Sequence, residues 1–310
     1  MPFDFSLVSA PFRMQPGLRR LDAAAPHLTP SRPGDLALEE KLEVLTQRAD
    51  EALLAAAGFD ADPALAALCA RAAAEHPEAF AFDAVHGSFN AAHLGWSWQS
   101  GCVEGEGRAD IGACLAALPA HWRLAALLSL ALTEDFAVID GDGRIPWLAV
   151  CLPSNWVPEE KVGRRFAEVH AAVADSDALL VAADHLARLV TSGERWERFV
   201  WTITDGARLG RHPRHTEAPR WERAATPAAL AGTAYLRSER QTFLPVPHAR
   251  QAVFTIRVEV EPLREAVTSP AAAERLHAAL ASMSPAVLAY RNLAPVRDRL
   301  LAWLAGQARS

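Results

Sequence analysis

The sequence predicts an α+β fold built on a five-stranded, mostly antiparallel sheet with helices flanking it at both ends of the chain. Three observations carry this. Two apolar runs enclose the turn cluster Gly141-Asp142-Gly143-Arg144, the pattern of a hairpin. Three further stretches rich in β-formers follow one another, Arg198 to Thr204, Ala234 to Leu244 and Gln251 to Val260. Helix-periodic segments gather at the two ends instead of alternating with strands, which argues against a doubly wound parallel sheet.

The elements follow in order. Leu36, Leu38, Leu42, Leu45, Ala49, Leu53 and Leu54 recur at three- and four-residue steps, predicting one helix that stops at Gly58. A second helix runs from Pro63, a good first-turn residue, to Glu75, where His76-Pro77 ends it. Phe80 to Gly107 reads as short strand or loop, and Ala113 to Leu132 as a helical segment that Pro119 can break. Glu134 to Asp140 and Ile145 to Leu152 form the hairpin arms. A helix is expected from Pro158, with Glu159 and Glu160 at the positive end of its dipole and Val162, Phe166, Val169, His170 and Val173 on one stripe. Another helix spans Ala178 to Val190, and Pro262 to Ala305 returns to helices. The expected division is a mainly helical region 1–132, a sheet-containing core 133–261 and C-terminal helices 262–310, together one compact unit.

Composition excludes several function classes. The chain has 310 residues, 51% hydrophobic and 22% charged, with a net charge of −6, which fits a folded chain and not a disordered one. An acidic balance argues against nucleic-acid binding, which needs a basic face. No apolar run approaches the ~20 residues of a membrane span, and the start, Met1-Pro2-Phe3-Asp4-Phe5, lacks a basic and then apolar leader, so a cytoplasmic location is expected. Cys69, Cys102, Cys114 and Cys151 form no Cys-x-x-Cys pair, as suits free thiols without an iron–sulfur cluster. Gly105, Gly107 and Gly112 have the wrong spacing for a dinucleotide loop, and neither a phosphate-binding loop nor His-Glu-x-x-His occurs. A flavin or nicotinamide held through such a motif is therefore not expected.

Three constellations remain. His212-Pro213-Arg214-His215 has two imidazoles three apart, but Pro213 favours a loop over a helix and two histidines rarely complete a tetrahedral shell, so it reads as a solvated or anion-facing loop. His170 lies on an apolar stripe, where an imidazole is usually half-buried and bonded to backbone. It can act as a ligand only beside a cavity wide enough for a flat apolar cofactor, with Phe166, Val169 and Val173 as walls and strand arginines meeting anionic edge groups. In Tyr235 to Phe243, period-two alternation sends Tyr235, Arg237, Glu239, Gln241 and Phe243 to one face and Ser238, Arg240 and Thr242 to the other. This strand is either a solvated face with Arg237 and Glu239 paired, or a polar pocket wall where Glu239 holds an amine or an arginine grips a carboxylate.

Six ordered pieces resemble the family of the haem-dependent oxidative N-demethylase, whose haem subunit is PAS-like. They are Glu134-Asp135-Phe136, Leu152-Pro153-Ser154-x-Trp156-x-Pro158-x-x-Lys161-x-Gly163, Val169-His170, Arg198-x-x-Trp201, Arg237-x-Glu239-Arg240-Gln241-Thr242 and Val253-Phe254-Thr255-Ile256. Weaker echoes lie in Gly17-Leu18-Arg19 and Tyr290-Arg291. The resemblance implies a PAS-like core holding haem b, with His170 as axial iron ligand and Phe166, Val173 and Trp201 lining the pocket. It implies oxidation of a small amine with release of formaldehyde, on electrons from a flavin and iron–sulfur reductase subunit. Glu239, Arg237 and Arg240 are then the expected catalytic, substrate or propionate contacts. The alternative is a non-catalytic PAS-like module that senses haem or another small ligand.

Overall fold

The computed structural model describes residues 3–219, 221 and 224–309. The N-terminal part contains β1 (Arg19–Arg20), α1 (Leu36–Gln47), α2 (Ala49–Ala52), β2 (Leu53–Ala55), α3 (Asp62–Glu75), β3 (Phe80–Asp83), β4 (Ser88–Ala91), β5 (Trp96–Gln99), β6 (Cys102–Gly105), α4 (Ala109–Ala117) and α5 (Arg123–Ala131). The middle contains β7 (Asp135–Asp140), β8 (Trp147–Ala149), α6 (Phe166–His170), α7 (Asp177–Thr191), β9 (Trp196–Thr204), α8 (Pro227–Thr233), β10 (Tyr235–Val246) and β11 (Gln251–Pro262). Four helices close the chain: α9 (Leu263–Ala266), α10 (Pro270–Ala281), α11 (Pro285–Tyr290) and α12 (Arg297–Gln307).

The architecture is α+β, with two antiparallel sheets. The larger runs β1-β9-β10-β11-β7-β8-β2, and the smaller is the meander β3-β4-β5-β6. All five expected strands are present and adjacent, as β9-β10-β11-β7-β8. The sheet is wider than expected because β1 and β2 extend its edges with two and three residues, too few to leave a periodic signal. Leu53 and Leu54, expected in a helix, pair instead with Ala149 and Leu148 of β8. Their apolar side chains suit either state, and the open strand edge decides. The second hairpin arm is also shorter than expected, at Trp147–Ala149.

The Phe80–Gly107 stretch resolves into strands, and its glycines make room for Trp96. A Cβ on Gly112 would stand 2.3 Å from the Trp96 ring, and one on Gly107 2.5 Å from its Nε1. The glycines that fail as a nucleotide loop therefore serve side-chain packing.

The helix expected from Pro158 through Val173 does not form as one element. Pro158–Glu160 makes a single 3-10 turn, Gly163 takes a positive φ of 77°, and α6 begins only at Phe166. The cause is competition from the hairpin. Ile145 N donates to Arg164 O at 2.9 Å and Gly163 N to Ile145 O at 2.7 Å, so the segment is tied to the hairpin as it passes. Val162 is thereby separated from the stripe, and Val173 falls in the turn after α6.

One large core joins α1, α3, α4 and α5 to the sheet, and a second joins β9, β10 and the C-terminal helices. The helix α7 covers part of one sheet face through Val190, which packs with Ile139, Phe243 and Ala252. Among the described residues no helix is long and apolar enough to cross a membrane. Cys69, Cys114 and Cys151 are buried free thiols, and Cys102 is exposed.

Candidate functional site

Strand register places the candidate residues. In β10, Arg237, Glu239, Gln241 and Phe243 stand opposite Thr202, Val200, Arg198 and Trp196 of β9. Directly paired residues share a face, so these eight side chains form two adjacent rows on the side that α7 covers.

The β10 row is fully bonded. Arg237 is 1% exposed, and burial lowers its pKa to about 10. Its Nε and Nη2 donate to Ser154 Oγ at 3.0 and 2.6 Å, Nη2 donates to Leu209 O at 2.6 Å, and Nη1 donates to Arg208 O at 3.2 Å. Ser154 Oγ in turn donates to Glu239 Oε1, and Gln241 Nε2 donates to Glu239 Oε2 at 2.7 Å. Arg237 and Glu239 are therefore coupled through the Ser154 hydroxyl and not as a direct pair. Ser154 comes from the turn after β8, held by Asn155 N donating to Arg211 O and Arg211 N donating to Pro153 O.

The β9 row is the reverse. Trp196 Nε1, Arg198 Nε and Thr202 Oγ1 are buried and find no hydrogen-bond partner among the described residues. Burial lowers the Arg198 pKa, opposed by the charge of Glu239. Three orphaned polar atoms on one strand face are unusual, because buried polar groups are nearly always satisfied.

His170 faces this row. It is the last residue of α6, and its Nδ1 is 2.8 Å from Phe166 O. A carbonyl can only accept, so Nδ1 carries the proton and Nε2 keeps its lone pair. Burial pushes the imidazole pKa down to about 4, with Arg198 and Lys161 adding to the effect, so the ring is neutral near pH 7. The Phe166 ring lies 4.0 Å from it, centroid to centroid. Beside these residues is a narrow, mostly apolar cleft of about 20 Å³, lined by Leu18, Ile139, Phe166, Leu186, Val190, Phe243 and Arg198. That is room for about one water molecule, far below the roughly 300–1,000 Å³ of a ligand pocket, so α6 has to move off the sheet before a flat cofactor can enter. The helix α6 has five residues and none is fully buried, so little packing fixes its distance from the sheet.

The structure therefore brings His170, Phe166, Arg237 and Glu239 to one face. Two expected residues lie elsewhere. Arg240 points to the opposite face, where its Nε donates to Glu197 Oε2 at 3.0 Å. Trp201 is 6% exposed within the second core; its ring meets Phe12 edge-on at 6.0 Å and stacks under Arg291. Both follow from strand alternation: Arg240 is one residue from Glu239, and Trp201 is three from Arg198. Val173 is half-buried in the turn after α6. Arg198, Ser154, Gln241 and Thr202 gain roles that their spacing could not show, since only register and the returning turn bring them together.

The two histidines of the loop 211–215 also differ from expectation. Glu51 of α2 brings a carboxylate to them from far away in the sequence, with Oε2 2.6 Å from His215 Nε2.

A comparison with known protein families matches residues 37–301 to the family described as "Haem-dependent oxidative N-demethylase, alpha subunit-like". The match covers most of the chain, and the chain belongs to that family.

Proposed function

Starting from that membership, we propose that this chain is a haem-carrying oxidoreductase subunit that oxidises a small N-methylated amine, with His170 as the axial iron ligand. The observation that carries the reading is a neutral imidazole, its Nδ1 proton held by Phe166 O, next to an apolar cleft that Phe166 shares with Arg198, whose Nε has no partner among the described residues. A histidine that ligates a metal characteristically gives its other ring N–H to a carbonyl or carboxylate, which fixes the tautomer and orients the ring. A haem also needs apolar walls and a cation for its carboxylate edge groups. Leu186, Val190, Ile139 and Phe243 offer the walls, and Arg198 offers the cation. The residue types therefore suit haem b in a PAS-like core formed by β7 to β11, and the cleft would have to widen to admit it.

When bound, the haem supplies the oxygen-dependent redox chemistry that removes the methyl carbon as formaldehyde. This chain supplies position and charge. Glu239 is the one carboxylate on the β10 row, and Ser154 and Gln241 fix both its oxygens. A half-buried, oriented anion there attracts a protonated secondary amine and holds its nitrogen toward the cleft. Arg237 acts as a positioning residue, because its donors are already spent on Ser154, Arg208 O and Leu209 O. Electrons come from a separate reductase subunit carrying flavin and an iron–sulfur centre.

The test is a spectrum followed by a product assay. Protein expressed with haem shows a Soret band that His170→Ala abolishes or shifts, and reduced wild-type protein with oxygen and dimethylamine releases formaldehyde. An unchanged band in the variant removes His170 from the role. A Soret band with no formaldehyde from any small N-methylated amine leaves the sensing module instead.

A further inference from the structure

A second side-chain cluster gathers at the loop after β9, and none of its residues lines the cleft beside Phe166. Glu51 comes from α2, Glu159 from the 3-10 turn Pro158–Glu160, and His212 and His215 from the loop after β9. One ligand atom each from Glu51, His212 and His215 lies within 4.8 Å of the others. The two rings are 5.1 Å apart, and His215 N donates to His212 O at 2.9 Å, so the loop presents both imidazoles from one tight turn.

The cluster has a gap at its centre. His212 is 9% exposed, and its Nε2 faces Glu159 Oε2 at 3.7 Å, beyond hydrogen-bond reach. Both atoms are buried and without a hydrogen-bond partner among the described residues. Such a pair calls for a bridging group. We propose that Glu51, His212 and His215, with Glu159 as fourth donor, form a binding site for a divalent transition-metal ion of the zinc class.

The donor set decides the class of ion. Two imidazoles with carboxylates suit zinc and its first-row neighbours, whereas calcium and magnesium take oxygen shells. In a tetrahedral site with bonds near 2.1 Å, donor atoms stand about 3.4 Å apart. The 2.6 Å contact between His215 Nε2 and Glu51 must therefore open, and the 3.7 Å contact between His212 Nε2 and Glu159 must close slightly. Two existing contacts are exchanged. Arg214 Nη1 now bridges Glu159 Oε1 at 2.6 Å and Glu51 Oε1 at 3.7 Å. Its side chain is 55% exposed, so it can swing to solvent and leave the two carboxylates to the ion. His212 Nδ1 accepts from Arg214 N at 3.2 Å, the long end of a hydrogen bond, and yields it when the ring proton moves to Nδ1.

Such an ion staples the loop at its outer end. The same loop gives the Arg208 and Leu209 carbonyls to Arg237, and its Arg211 pairs with Ser154. The metal site thus braces the bonded row without touching the His170 cleft, and it stands whether or not His170 binds haem.

The experiment titrates chelator-treated full-length protein with zinc chloride, by calorimetry and by metal analysis after dialysis. The expected result is one zinc per chain, a melting temperature that rises with zinc, and an unchanged Soret band. His215→Ala and Glu51→Gln, both outside the core, weaken zinc binding at least tenfold while circular dichroism stays native. His212→Ala does the same but can also loosen the loop, so the other two variants decide. Wild type that takes up no zinc, or binds it no more tightly than His215→Ala and Glu51→Gln, overturns the proposal and leaves a hydrogen-bonded His–Glu–Arg cluster.

Discussion

Two neighbouring strands present polar rows on the same sheet face, and they treat their polar atoms in opposite ways. On β10, Arg237, Glu239 and Gln241 are joined through Ser154 and two backbone carbonyls. On β9, Trp196, Arg198 and Thr202 each bury an atom that has no hydrogen-bond partner among the described residues. A saturated buried network fixes geometry. An unsatisfied one costs free energy, about 1–3 kcal/mol per group, that a ligand can recover. The difference therefore separates the row that builds the site from the row that meets what enters it.

His170→Ala tests the orphaned side most severely. Removing the imidazole near Arg198 is expected to abolish the Soret band of protein supplied with haem, while far-ultraviolet circular dichroism is retained. The residue is only half-buried on a short helix, so truncation there costs little packing. A variant with wild-type haem content and spectrum would end the contrast between the two strands as a functional one.

Arg198→Met is expected to act in two directions. Haem retention, followed by transfer to an excess of a haem-scavenging apoprotein, should weaken about 10–100-fold, the range for losing a group that supports a metal site from outside its ligands. The haem-free chain should be as stable as wild type or more so, because a buried, unpartnered guanidinium nitrogen is replaced by an apolar chain of similar length. A loss of stability without haem instead identifies Arg198 as a structural residue.

Ser154→Ala probes the saturated side. The hydroxyl accepts from Arg237 and donates to Glu239, so its loss leaves both partners short of a bond in a buried place. Urea denaturation should show a destabilisation of about 1–3 kcal/mol, with the Soret band of the haem-loaded variant unchanged.

How much of this was legible in the chain follows the range of the forces involved. The hairpin, the three late strands and the alternation of Arg237 and Glu239 against Arg240 rest on local period and turn chemistry, and the observed register agrees with them. The long helix expected across Pro158 to Val173 fails because the hairpin captures its middle through Ile145. Nothing within the segment encodes that capture. Arg198 and Ser154 were visible as motif residues, but their roles depend on which strand lies beside β10 and where a loop returns. Glu51 beside His215 joins positions far apart in sequence, so this carboxylate reaches the loop only through the fold.

Acid provides a milder test of the same side. The folded pKa of His170 is about 4, below its ordinary value of about 6.5. Between these values the unfolded chain binds a proton that the folded chain does not. The stability tied to the neutral ring is thus full above about pH 6.5 and declines as pH falls toward 4. For one group the slope is at most about 1.4 kcal/mol per pH unit, less here because the ring is partly exposed. Haem-free His170→Phe should lose stability less steeply over that interval, measured by urea denaturation at successive pH values. Parallel profiles for wild type and variant would place the acid sensitivity elsewhere, for instance at His27, which burial likewise holds neutral with a pKa of about 3.

Thr202→Val is the smallest perturbation and sharpens the comparison most directly. Thr202 stands opposite Arg237, so the two rows meet at this pair. Its Oγ1 is buried and unbonded, and valine keeps the branched shape while removing the hydroxyl. On a saturated row such a change costs about 1 kcal/mol or more, as for Ser154. Here it should leave the haem-free chain within about 0.5 kcal/mol of wild type or stabilise it, because no bond is lost and a desolvated hydroxyl disappears. A loss above about 1 kcal/mol in urea denaturation shows that Thr202 is bonded after all, and the β9 row would then end at Arg198 and not extend toward Arg237.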